Sequence, residues 1–149
     1  MDTRLQIAVD CTSSSCMTRF WSTALGYSVE PPPAGFATWN AYYRSIGVGE
    51  DELEAEGDSS DSLVDPSGRG PRICFQVVPE AKTGKNRIHF DLGVSGGRDV
   101  PLEIRKGRVD AEVDRLVRAG ATRVGVVPAG GVDHYAVAMR DPEGNEFVH

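Results

Sequence analysis

HYAVAMRDPEGNEFVH, residues 134–149, places an Asp-Pro-x-Gly turn between two short runs of alternating apolar residues. An earlier stretch, SLVDPSGRGPRICFQVV at 62–78, has the same plan, with the two turns 76 residues apart. A hairpin written twice at that distance points to a duplicated unit. The positions where the copies differ are then the informative ones.

Working outward, RLQIAVDC at 4–11 alternates, with Leu5, Ile7 and Val9 on one side and Gln6, Ala8 and Asp10 on the other. A Ser/Thr-rich cap then opens a helix in which Met17, Phe20, Trp21, Ala24 and Leu25 recur every three and four residues, and Gly26 stands as its stop. After Pro31–Pro33, the run ATWNAYYRSI (37–46) is expected as a strand. The acidic run at 47–61 is expected as a loosely packed loop. PRICFQVV (71–78) supplies the fourth strand, with Ile73, Phe75 and Val77 opposite Cys74, Gln76 and Val78. The order repeats downstream. RIHFDL (87–92) sets Ile88, Phe90 and Leu92 against His89 and Asp91, and VDAEVDRLVRAGA (109–121) is a helix built on Val109, Val113, Leu116 and Val117 with Gly120 as stop. TRVGVV, HYAVAMR and NEFVH complete it. We expect one α+β domain over 1–149, made of a first βαβββ module at 3–79, a linker at 80–85 and a second module at 86–149.

Composition narrows the function. The net charge is −6, but eight of the 22 acids fall between Glu50 and Asp65, where there is no Lys or Arg, leaving 14 acids against 16 bases elsewhere. The negative charge is therefore local, and nothing forms the basic footprint of a nucleic-acid binder. Three cysteines, Cys11, Cys16 and Cys74, lack paired spacing and are expected as free thiols. No run of about 18 apolar residues or secretion-type N-terminus is present, so a soluble, cytoplasmic protein without membrane partners is expected.

If the helices cover one face of each sheet, the opposite face collects Gln6, Ala8, Asp10, Cys74, Gln76, His89, Asp91, His134, Ala136, Ala138, Arg140, Glu146 and Val148. Small and polar side chains there suit either a ligand-lined concavity or an ordinary solvated face. His89 is the candidate acid or base, because an imidazole titrates near pH ~6.5 and a nearby carboxylate tunes it; otherwise it is a neutral hydrogen-bonder. His134 fits the same role or a solvated rim. Trp39 and Tyr43 fit a planar ligand or the core. Lys82, Lys85 and Arg87 read as a solvated run.

FWSTALGY (20–27), VPEAKTGKNRIHFDL (78–92), VDRLVRAGA (113–121) and MRDPEGNEF (139–147) together resemble the vicinal oxygen chelate superfamily, in its glyoxalase-like and bleomycin-resistance-protein-like branch. The resemblance implies two βαβββ modules whose curved mixed sheets pair into a U-shaped cavity. Metal-dependent members place His or Gln on the first strands and Glu on the fourth. Alignment puts Gln6, Gln76, His89 and Val148 at those positions, so both carboxylates are missing, and Glu146 is the nearest substitute. Gln6, His89 and Glu146 are the ligand set if a metal binds; neutral amides offset little of a divalent charge, so no metal or other cofactor is expected.

The resemblance implies capture of a small organic molecule by Gln6, Gln76, His89, His134 and Trp39, as in bleomycin-resistance proteins. The alternative is a metal-dependent or His89-based lyase or isomerase of the glyoxalase type. Exposed sheet edges suit a homodimer.

Overall fold

A computed structural model describes residues 3–53, 60–130 and 133–149. The chain divides into two units, Met1–Pro79 and Glu80–His149.

In the first unit, β1 (Gln6–Cys11) leads into α1 (Ser14–Leu25). Ser13 caps the helix by accepting the Cys16 amide at 3.3 Å, and Gly26 ends it at φ +68°, a left-handed conformation that costs glycine little. Its Met17, Phe20 and Trp21 are buried, with the two rings edge to face at 5.2 Å. They join Leu63 of β3 (Ser62–Val64) and Ile73 and Phe75 of β4 (Arg72–Val77) in one core. β2 (Ser28–Val29) completes a mixed sheet in the order β1-β4-β3-β2, with β1 parallel to β4.

The second unit repeats this order. β5 (Phe90–Asp91), α3 (Leu102–Ala119), β6 (Thr122–Val126), β7 (Val137–Arg140) and β8 (Glu146–Val148) form a sheet ordered β5-β8-β7-β6, with β5 parallel to β8. Val109, Val113 and Leu116 bury against Val137, Met139 and Phe147 in its core. Both Asp-Pro-x-Gly turns are built alike. Asp65 accepts the amides of Ser67, Arg69 and Gly70 at 2.7–3.1 Å, and Asp141 those of Glu143 and Asn145 at 2.9–3.0 Å. Gly68 and Gly144 follow at φ +70° and +88°. The α+β architecture is thus the one the alternation and turns indicated.

Several local expectations are corrected. The expected strand at 37–46 is a helix, α2 (Trp39–Ser45), because Thr38 caps it by accepting the Ala41 amide at 3.0 Å and the rings Trp39, Tyr42 and Tyr43 recur at helical spacing. α3 starts seven residues before Val109, just after Pro101, whose φ of −52° suits a helix entry. Leu5, Ile88 and Val117, expected to face the cores, are 72%, 80% and 44% exposed. Ala136, expected on the open face, is buried. His89 stands one residue before β5. Of the acidic run, 54–59 lies outside the described residues; Ser60 beside it is buried, and the Asp61 carbonyl accepts the Phe75 amide at 2.8 Å, so the sheet claims that end of the expected loop. Among the described residues, no helix is long and apolar enough to cross a membrane.

Candidate functional site

The face of the first sheet away from α1 is set by register. Gln6, Ala8 and Asp10 of β1 stand opposite Arg72, Cys74 and Gln76 of β4. Because alternation buries Ile73 and Phe75, these six share the open side, where Gln6, Asp10 and Gln76 are exposed. Arg72 organises the group. Its Nε donates to both Glu30 oxygens at 2.9 and 3.0 Å, one terminal nitrogen adds a 2.6 Å bond to Glu30 Oε2, and the other donates to Gln6 Oε1 at 3.0 Å. The Glu30 carboxylate raises the Arg72 pKa further, so the guanidinium is permanently charged.

Glu30 also joins Trp39 to this assembly. Trp39 Nε1 donates to the Glu30 carbonyl at 3.0 Å, and its ring lies beside Tyr43 at 5.6 Å, tilted by 31°. Burial, and then the charge of Asp61, pushes the Tyr43 phenol up. Trp39, Glu30, Arg72 and Gln6 thus form one continuous chain of bonds. Glu30 and Arg72 were missed in the sequence; Arg72 carried the signal of parity, sharing the face of Cys74 and Gln76, whereas Glu30, just after β2, carried none.

In the second unit, His89 Nε2 lies 3.4 Å from Asp91 Oδ1, both largely exposed. Glu146 accepts the Asn86 amide at 2.9 Å and faces Lys82 Nζ at 3.4 Å; the amide bond is the main reason its pKa is lowered. His134 is exposed in irregular chain and joins none of these groups by a described contact.

The two registers can be superposed. Ala8 pairs with Cys74 and Asp91 with Val148, so Gln6 and His89 occupy matching positions, two residues earlier. Cys74, not Gln76, is the counterpart of Val148, because the first unit carries two more residues between turn and strand. Gln76 keeps the same face by parity.

These residues do not fit a divalent metal. Gln6 Oε1 already accepts from a guanidinium, which would repel a cation, and the fourth-strand positions hold Cys74 and Val148 where carboxylates are needed. Glu146 is committed to Asn86 and Lys82. Among the described residues, no three His, Cys, Asp or Glu side chains gather as metal donors.

The glyoxalase-like domain family model matches residues 6–148, nearly the whole chain. The chain belongs to this family. As a glyoxalase-like protein it is similar in fold to SA1046 from S. aureus, at TM-score 0.60 and 15% identity over 99% of this chain and 92% of that one. It is also similar to the fosfomycin resistance protein FosX from Listeria monocytogenes, at TM-score 0.57 and 9% identity, covering 99% and 91%. A glyoxalase/bleomycin resistance protein/dioxygenase family enzyme from Burkholderia phytofirmans PsJN gives TM-score 0.53 and 18% identity, covering 96% and 93%. No curated protein matches the glyoxalase-like sequence. At these identities the likeness establishes the fold alone, and the glyoxalase-like chain's own side chains must carry the function.

Proposed function

We propose that this glyoxalase-like protein binds a small organic molecule on the polar sheet faces that carry Gln6 and His89, without a metal, and sequesters it without chemical change. The observation that carries the reading is the Glu30–Arg72–Gln6 chain, which fixes a side-chain amide and a guanidinium on an open face beside the small Ala8 and Cys74. Holding polar groups in place before binding lowers the ordering cost of capture. Gln6 and Arg72 still have unused N–H groups to offer a ligand.

Two measurements test it. Protein purified without a His tag should contain no stoichiometric divalent metal, and a chelator should leave its melting temperature unchanged. A ¹⁵N NMR screen with neutral aromatic amides and alcohols should move resonances around Gln6, Cys74, Gln76 and His89. One metal per chain, lost in His89→Ala or Glu146→Gln, would overturn the reading.

A second reading has the His89–Asp91 pair in its favour, since a carboxylate beside an imidazole is what a general base uses. It requires deuterium exchange from solvent into the α-carbon of an added ketone, abolished in His89→Asn.

A further inference from the structure

Each unit has a basin at the same place, between the segment leading into its first strand and its Asp-Pro-x-Gly turn. In the first unit it measures about 770 Å³, and Arg4, Gln6, Asp65, Arg69, Gly70 and Arg72 contribute to its lining. In the second it measures about 480 Å³, between Lys82, Lys85, Arg140, Glu143 and Glu146. The duplication makes the second an internal control for the first. The registers put Glu146 where the first unit has Arg72, so the second basin carries a carboxylate on its strand, and that carboxylate faces its own Lys82 at 3.4 Å.

Among the described residues, the lining of the first basin holds three cations to one acid, against three to two in the second. The three cations of the first are guanidiniums, whose planar forks match an oxyanion better than an ammonium does. Asp65 is the one acid of the lining among the described residues, and both its oxygens accept hydrogen bonds, from the amides of Ser67, Arg69 and Gly70 and from the Ser67 hydroxyl at 2.6 Å. These bonds hold its carboxyl down to about 2. Arg72 is oriented from behind by Glu30, which does not line the basin. Among the described residues, neither Arg4 nor Arg69 has an ion-pair partner; Arg69 Nε donates only to Ser67 Oγ, at 3.2 Å.

We infer that the first-unit basin is an oxyanion site, in which Arg4, Arg69 and Arg72 take a carboxylate or phosphate group while Gln6 hydrogen-bonds the adjoining part of the molecule. This rests on the reading of the Gln6 face as a ligand-binding surface and names the class of ligand as an anionic small molecule.

The test is a ¹⁵N NMR titration of the full chain with inorganic phosphate and, separately, with acetate, at ionic strength held constant with sodium chloride. Saturable shifts are expected at the Arg69, Gly70 and Arg72 amides and the Gln6 side-chain amide. Saturation by phosphate alone assigns the site to phosphate-type groups, and saturation by both admits carboxylates. The double variant Arg4→Gln/Arg69→Gln, altered at exposed positions, should weaken binding at least tenfold with an unchanged melting temperature; Arg19→Gln, on α1, should leave it unchanged. Shifts that grow linearly without saturating, or that persist in the double variant, overturn the inference. If neutral compounds still perturb the Gln6 face while oxyanions leave the basin unmoved, the inference fails and the binding reading survives; if neither perturbs it, both fail.

Discussion

His149 has a polar side chain in an apolar setting. It is almost fully enclosed, its Nδ1 has no hydrogen-bond partner among the described residues, and its Nε2 is 3.7 Å from Glu112. Burial is the largest influence and lowers its pKa, outweighing the opposing pull of Glu112. The folded state therefore takes up fewer protons than the unfolded chain at mildly acidic pH. Stability from this source is complete above the ordinary histidine value of about 6.5 and declines as pH falls through the lowered folded value. Melting temperatures measured from pH 8 to pH 5 should fall over that window, and His149→Leu should remove most of the dependence there. Arg72 tests the polar face at the same scale. Arg72→Ala leaves the half-buried Glu30 carboxylate without its bidentate partner and should cost about 1–2 kcal/mol in urea unfolding. Arg72→Lys, which cannot reproduce the fork, should recover less than half of that loss.

Among the elements, α1 was readable because everything local agreed: a Ser cap, apolar residues at helical spacing and a glycine stop. α2 was not. Seven residues give too few turns for a clear stripe, and an aromatic-rich segment after three prolines resembles a strand by composition. Its register is legible afterwards in Thr38, which offers a testable consequence. Thr38→Ala should cost about 0.5–2 kcal/mol and Thr38→Ser much less. Because α2 carries Trp39, the same change should broaden the indole N–H resonance by loosening its bond to Glu30. At the end of α3, Gly120 sits at φ +118°, where a side chain is strained whatever space surrounds it. Gly120→Ala should destabilise by about 1–3 kcal/mol in the same urea assay.

Across the whole molecule, the duplication was visible in two turns and the order of elements, and the sheet registers supply the residue-by-residue match that sequence spacing left two residues out. The cause is physical. Residues 69–71 stand where the second turn has Asn145 alone, an excess of two residues, and the placement at Gln76 allowed for four, whereas the ladder pairs Cys74 with Ala8. A shift by two preserves the face of a strand, which is why the polar face was legible while its exact fourth-strand position was not. The exposure of Leu5 and Ile88, one residue before the matched Gln6 and His89, was beyond alternation, since a pleat tells which side a residue takes and not whether anything covers it. The turns themselves are expected to differ in importance. Asp141 is buried, so Asp141→Ala leaves the Glu143 and Asn145 amides short of an acceptor and should cost about 2–3 kcal/mol. Asp65→Ala, at the more open turn, should lower the melting temperature by less.

The shared turn also makes the two halves interchangeable parts. Since an aspartate and backbone amides build it in both copies, the segment between its proline and the following strand is free to vary in length and charge without loss of the turn. Grafting Ser67–Pro71 in place of Glu143–Asn145 would lengthen the second turn by two residues and bring an arginine with them. The chain thus contains, in its own first half, a template from which its second half could be given a new specificity.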